Sequence, residues 1–352
     1  MATKPRARAN KKKSATNPAA SLIAALKFVS IAQKKVGPPG FQFCMATNNW
    51  LVASNGVLTA AHPIQEDLEA CPHTIQLLDA LSNVEDELSI TQLSANCLAV
   101  TSGVFRALVP CVEPDALSIP EPDPEIAVID DRVKTALANA SYLATEGAPI
   151  AAYASVLLQA QTCVATNGTA LAEAFHGNDL PPDLLMPKNS ALAIAKSPYA
   201  LKGFGFSQSS ATFYFEGGAL IKTQLFNEKY PNYQMLFLNC NYENYKELPS
   251  DFFKALAAIE PFASEGIVHF DNGSILSESN KDIASSYQII GLPERMSFKI
   301  ETLMELKHVL SGKVYFNKEM NRLEFFNEGV RGMVSSVVLK SSDDLNSEDI
   351  PF

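Results

Sequence analysis

The sequence predicts an α+β protein made of three copies of one two-helix, multi-strand unit, and three observations carry that expectation. Three segments read as amphipathic helices: "ASLIAALKFVSIA" from Ala20, "DDRVKTALANASYLA" from Asp130 and "PSDFFKALAAIEPFA" from Pro249. A second helical segment follows each, and after it come strand pairs broken by a glycine turn. Similarity at a fixed spacing is the mark of a repeated fold unit.

Each element has its own reason. In the first helix Leu22, Ala25, Leu26, Val29 and Ala32 share one face at the 3.6-residue period, with Lys27 and Lys34 opposite. Lys134 and Lys254 stand opposite the apolar faces of the second and third. The following helices are "CPHTIQLLDALSN", "MPKNSALAIAKSP" and "FKIETLMELKHVLSG", and Pro72 and Pro187 are expected in the first helical turn, where no amide proton is needed. Strands come next in "ELSITQLSANCLAVTSGVFRALVP", "GFGFSQSSATFYFEGGALIKTQL" and "KVYFNKEMNRLEFFNEGVRGMVSS". Leu88 and Ile90 alternate with Ser89 and Thr91 as half-buried strands do, and Gly103, Gly217 and Gly329 fall at equivalent hairpin turns.

Proline-rich "SIPEPDPE" and polar "LNCNYENYKELPSD" mark the joints. The expected organisation is a basic tail over 1–20, domains over 21–120, 121–240 and 241–339, and an acidic tail over 340–352. With 352 residues, 47% of them hydrophobic, the chain can bury several cores. Charge is polarised: Lys4, Arg6, Arg8, Lys11, Lys12 and Lys13 crowd the start, yet the net charge is −10, so the body is acidic. An acidic body argues against a broad positive surface that simply coats nucleic acid. No run of eighteen apolar residues and no apolar leader exists, which predicts a soluble cytoplasmic protein, in a bacterial or phage-infected cell once the resemblance below is added. The six cysteines lack any paired spacing and read as reduced thiols.

Catalytic chemistry has no support. There is no phosphate-binding glycine loop, since Gly203 and Gly205 lack a third glycine, and His62, His73, His176, His269 and His308 show no metal-ligand spacing. Neither an enzyme nor a cofactor is expected.

Two stretches of the middle unit then carry a resemblance: "VATNGTALAEA" is similar to V-A-T-D-G-H-R-L-A, and "TQLFNEKYPNY" to K-L-I-D-G-x-F-P-D-Y, both found in the bacterial replicative sliding clamps, the beta subunits of DNA polymerase III. The resemblance covers about 21–339. It implies three clamp domains, a homodimer closing head to tail into a six-domain ring around double-stranded DNA, an ATP-dependent clamp loader, and a DNA polymerase as partner. Lys27, Lys34, Lys134, Lys196, Lys254 and Lys307 are the expected DNA-facing residues, acting as weak delocalised attraction over a Debye length of roughly 8 Å. The residues matching the family's partner-peptide pocket are Tyr153, Thr166, Gly168, Leu171, Met333, Val334, Ser335 and Val337. Asn167, Thr169 and Ala170 replace the family's Asp, His and Arg, which implies a changed peptide preference.

The final "SEDIPF" resembles the acidic tip of bacterial single-stranded DNA-binding protein. It implies that Glu348, Asp349, Ile350, Pro351 and Phe352 recruit proteins that read such tips. The same ending keeps a rival reading open, a single-strand binder with tandem oligonucleotide-binding barrels, and a purely structural ring is a third. Two helices per unit and the single Trp50 weigh against the barrels.

Overall fold

The computed structural model describes residues 17–33, 38–85, 87–117, 119–240, 242–271, 273–279, 282–293, 295–310 and 312–337. Lys34, the basic segment before residue 17 and the tail motif from Glu348 to Phe352 lie outside them. By contacts the chain divides into one compact unit containing 17–122 with Phe215–Lys222, and a second containing the rest.

The first unit runs α1 (Ala20–Val29), β1 (Met45–Thr47), β2 (Trp50–Ser54), β3 (Leu58–Pro63), β4 (Cys71–Pro72), α2 (Thr74–Ser82), β5 (Ser89–Ser94), β6 (Cys97–Ser102) and β7 (Phe105–Val112). Helix α1 buries Leu22, Ala25, Leu26 and Val29 on the face that the periodicity marks. Full burial of each larger side chain contributes about 1.5–3 kcal/mol. Strands β1, β2 and β3 pair antiparallel in sequence order. A four-stranded sheet has the order β4-β7-β6-β5. Strand β4 meets β7 only at Cys71↔Val112 and Pro72↔Cys111, which leaves 105–109 without a neighbouring strand on that flank among the described residues.

The chain continues with β8 (Glu125–Val128), α3 (Asp131–Ser141), α4 (Ala151–Ala154), β9 (Ser155–Leu158), β10 (Thr162–Thr166), β11 (Ala170–Phe175), β12 (Leu184–Pro187), α5 (Lys188–Ala195), β13 (Leu201–Phe206), β14 (Ser210–Phe215) and β15 (Leu220–Gln224). Then come β16 (Lys246–Glu247), α6 (Phe252–Ile259), β17 (Ile267–Asp271), β18 (Ser274–Ser279), β19 (Asp282–Gln288), β20 (Met296–Lys299), α7 (Ile300–Glu305), β21 (Lys313–Asn317), β22 (Arg322–Asn327) and β23 (Val330–Ser335). The expected repeat is present: each copy has a long helix, a meander, a second helix and another meander. Gly103, Gly217 and Gly329, with φ of 57°, 76° and 77°, lie at the equivalent turns. Only a residue free of a side chain adopts that conformation without cost.

In the second unit an eight-stranded sheet has the order β12-β9-β10-β11-β23-β22-β21-β16. Its centre is the antiparallel pair β11–β23, where a strand of the middle copy meets the last strand of the third. A four-stranded sheet, β19-β18-β17-β20, leaves β19 at its edge. The third copy's core is aromatic: Phe270 packs on Phe252, Phe298 and Phe316 with ring centroids 5.2–5.9 Å apart. All the sheets are open and flanked by helices, so the barrel reading is not met.

Two details differ from expectation. Pro72 and Pro187 do not enter the helices. They end β4 and β12, and Pro187 is the extended N-cap of α5 with φ −54° and ψ 140°. A fixed φ serves the extended residue before a helix as well as the first helical one. Lys134 is not free on its helix, as described next.

Candidate DNA-facing lysines and partner-docking site

Lys27 is exposed in the last turn of α1, and Lys254 is exposed on α6, opposite Phe252, Ala255, Leu256 and Ile259. Lys196 is the exposed C-cap of α5. Lys307 is exposed in the turn that follows α7. Beside it His308 stacks on Tyr142, the C-cap of α3, with centroids 5.0 Å apart. Lys134 behaves differently. Its Nζ donates to the carbonyls of Ser197 and Tyr199 at 2.8 and 2.9 Å and lies 3.4 Å from Asp131. Its side chain is 14% exposed, so this ammonium is spent on holding the loop after α5 to α3.

The residues expected at a partner site converge at the β11–β23 junction. Leu171 is opposite Met333 and Ala170 opposite Val334, and the amide of Ser335 donates to the Thr169 carbonyl at 2.8 Å. Val337, just beyond, is tied by its amide to the Ser297 carbonyl at 2.7 Å. The loop feeding β11 is closed by its own side chains. Asn167 Oδ1 accepts from the amides of Thr169 and Ala170 and from the Thr169 hydroxyl, at 2.8–3.0 Å. An asparagine therefore keeps the acceptor that an aspartate would offer. Thr166 Oγ1 donates to the Ala170 carbonyl at 2.6 Å and accepts from the Gly168 amide at 3.1 Å. Gly168 has φ +88°, and a Cβ there would stand 3.1 Å from the Tyr153 ring. Glycine is what lets Tyr153, carried by α4, lie against this loop.

Beneath them is one apolar cluster: Ala152, Leu157, Val164, Leu171, Leu185 and Met333, completed by Tyr230, Tyr233 and Phe237, with Tyr153 and Cys240 packed against it half-buried. The last residues come from the segment joining the second and third copies. Sequence reading did not single out Tyr230, Tyr233 or Phe237. Tyr230 stands where the quoted family stretch has phenylalanine, so this chain adds one hydroxyl.

Two ion pairs fix that joining segment. Arg331 Nε donates to Glu173 Oε2 at 2.6 Å, and Glu173 Oε1 accepts from Tyr233 and Thr162. Arg322, 8% exposed, pairs with the fully buried Glu324 at 2.6 Å and donates to the Leu236 carbonyl at 3.1 Å. Tyr245 donates to Glu324 Oε2 at 2.9 Å; burial, then this carboxylate, pushes its phenol well above the ordinary range. A signal was present in the sequence: Glu173, Arg322, Glu324 and Arg331 are charges in strands whose other residues are mostly apolar. Such charges persist only when paired.

Among the described residues no group of three His, Cys, Asp or Glu could hold a metal ion, and all six cysteines are free. Burial pushes the thiols of Cys44, Cys71 and Cys111 up to about 12, 11 and 11, far from a reactive thiolate. Among the described residues no helix is long and apolar enough to cross a membrane.

The architecture matches solved structures over 91% of the chain. The DNA polymerase III subunit beta from Pseudomonas aeruginosa aligns over 98% of its own length with a TM-score of 0.76 at 14% identity. This is the sliding-clamp fold. A second clamp structure from the same organism, bound to griselimycin, gives 0.74 at 13% identity over 97% of that chain. The DNA polymerase III beta subunit from Thermotoga maritima gives 0.73 at 11% identity over 98%. No family model and no curated protein sequence matches the chain. The fold is thus shared at 11–14% sequence identity.

Proposed function

We propose that this chain is a DNA sliding clamp: a non-catalytic processivity factor that closes around duplex DNA and tethers a replicative polymerase. One observation carries the reading. Three copies of the same two-helix, two-meander unit follow one another in the clamp fold along 91% of the chain.

The repeat itself supports ring closure. Within the second unit, β11, the third strand of its meander, pairs with β23, the last strand of the next copy. The same rule leaves β19 needing a last strand, and β7 of a second copy offers its open flank at 105–109. Two copies satisfy both edges head to tail, and a closed ring avoids an open filament. Lys27, Lys196, Lys254 and Lys307 supply weak phosphate attraction, while the link to DNA is topological. A separate ATP-driven loader opens the ring. The cluster under Tyr153 receives a short partner segment, and the tail at 348–352 recruits proteins that read acidic tips.

The test is retention. Loaded on nicked circular DNA, the protein should survive a wash in molar salt and be released when the circle is cut. Phosphate contacts would be screened alike on both forms, so equal release from circular and linear DNA overturns the reading.

A further inference from the structure

We infer that Asn167 is a positioning residue of the candidate partner site: one end of its side chain closes the loop that feeds β11, and the other end ties that loop to Glu305 of α7. The inference rests on the partner-site reading above and adds how the third copy holds the loop in place.

An asparagine side chain ends in an acceptor oxygen and a donor nitrogen, and the groups around it decide which points where. The amides of Thr169 and Ala170 both point at one atom of Asn167, at 3.0 and 2.8 Å. A backbone amide only donates, so that atom is Oδ1. Nδ2 is therefore the end that meets the carboxylate of Glu305, which receives a side-chain hydrogen bond from Asn167. Glu305 needs such a donor. It is the half-buried last residue of α7, where a carboxylate meets the negative end of the helix dipole. Burial, and then Glu301 one turn earlier on the same helix, raise its carboxyl above the ordinary range, while Lys188 at the start of α5 and Asn167 act the other way.

The third copy grips the same loop a second time, because the Ser335 amide donates to the Thr169 carbonyl at 2.8 Å. Positions 167 and 169 are thus fixed by α7 and by the end of β23, and Gly168 between them faces the Tyr153 ring. The residue type follows. An aspartate would keep the three bonds to Oδ1, including the one from the Thr169 hydroxyl, yet it would set a second carboxylate against Glu305 with no proton to offer. Asparagine serves both ends.

The experiment uses the full-length protein and hydrogen exchange read by mass spectrometry over residues 164–172. Asn167→Asp should exchange there about tenfold faster than the wild type, because it loses one charge-assisted bond while keeping the loop's own closure. Adding Glu305→Gln should restore the wild-type rate: the glutamine amide then donates to the aspartate, and the bond is rebuilt in the opposite direction. The thermal midpoint of Asn167→Asp should lie below that of the wild type at pH 7 and approach it at pH 5, where one of the two facing carboxyls takes up a proton. Glu305→Ala removes the acceptor instead, should speed the same segment, and carries the test if Asn167→Asp folds poorly. Unchanged exchange in both single variants overturns the inference, since a loop closed only by its own bonds would not feel either change. Faster exchange in Asn167→Asp that Glu305→Gln does not correct also overturns it, because Asn167 would then act through another group. Docking is read separately, with end-blocked hexapeptides carrying Leu and Phe as probes. Affinity lowered by Asn167→Asp and regained in the double variant supports the positioning role, and affinity within twofold of the wild type overturns it with the docking site left standing. A wild-type protein that binds none of the peptides, with exchange in the expected order, removes the docking reading and with it the site that Asn167 would position.

Discussion

Arg331 faces Glu173 directly across the β11–β23 pair, its Nε 2.6 Å from the carboxylate and its guanidinium carbon 4.2 Å from the centroid of Phe237. One side chain thus binds the two copies' strands to each other and to the segment that joins them. The pair is unequal in burial, with side-chain exposure of 39% for Arg331 and 9% for Glu173. Arg331→Ala strands a buried carboxylate and removes a cation–π contact, and should cost about 2–3 kcal/mol. Glu173→Ala leaves an arginine that can turn to water but also takes the acceptor from the Tyr233 hydroxyl, and should cost about 1–2 kcal/mol. Urea unfolding of the two variants decides the order, and the reverse order would show that burial does not set it.

His176 predicts a pH dependence. It is 1% exposed at the end of β11, and its Nδ1 accepts from the Asn178 amide at 3.1 Å. Burial holds its pKa below the ordinary 6.5, outweighing backbone contacts that act the other way. The unfolded chain therefore takes up a proton at higher pH than the folded one does. The contribution is complete above 6.5 and is lost as pH falls from 6.5 toward the folded value. His176→Phe should flatten that part of the stability-versus-pH curve. An unchanged slope between pH 6.5 and 5 would mean that other groups set it.

Gly168→Ala tests the loop that Tyr153 covers. The substitution places a methyl 3.1 Å from the Tyr153 ring and holds a side-chain-bearing residue at φ +88°. The strain costs of order 1–3 kcal/mol. Partner-peptide affinity should fall as Tyr153 shifts, while the mass in light scattering stays unchanged. Full affinity at normal stability would show that Tyr153 has no part in docking.

The helices were legible because a buried stripe must recur every three or four residues, as Phe252, Ala255, Leu256 and Ile259 do. The glycine turns were legible because φ above zero selects that residue. The candidate partner site was half legible. Leu171 and Met333 are apolar residues in strands and can be placed by pattern, but Tyr230 and Phe237 come from an irregular segment with no period to read. Lys134 shows the limit on charges. Spacing puts it on a polar face, yet whether its ammonium meets water or two carbonyls depends on α5, which lies more than fifty residues further on.

That difference separates two lysines that look alike in sequence. Lys134→Met removes charge-assisted bonds to two carbonyls and should cost about 2 kcal/mol of stability with little effect on DNA. Lys254→Glu changes an exposed side chain. It should leave stability within about 0.5 kcal/mol and lower the salt slope of duplex binding by about 1 for each phosphate that is no longer neutralised. Equal effects of both substitutions on DNA binding would return Lys134 to the DNA-facing set.

The final prediction concerns the strand edges. Leu108, on the open flank of β7, and Ile283, on β19, expose 59% and 65% of their surface. Each stands on a sheet edge with unpaired backbone groups, which proteins otherwise blunt with charge or cover. Arg106 on β7 and Asp282 on β19 put a charge on each edge, but Leu108 and Ile283 bring none. If β7 of one copy pairs with β19 of the other, each protomer buries both residues, and the ring contains that contact twice. A lysine at either place would carry a charge into the contact and destabilise both copies of it. Leu108→Lys and Ile283→Lys should each shift the mass in light scattering from twice 38.1 kDa toward 38.1 kDa at micromolar concentration. In a mixture of the two variants a mixed pair has one intact contact and one carrying both lysines, so dimer mass should return only in part. Glutamate at 283 combined with lysine at 108 in the same chain places opposite charges across both contacts, and should also recover part of the dimer. A wild-type protein of dimer mass that neither lysine disturbs would place the ring contact elsewhere. Partial recovery by the charge pair would fix β7 and β19 as its two sides.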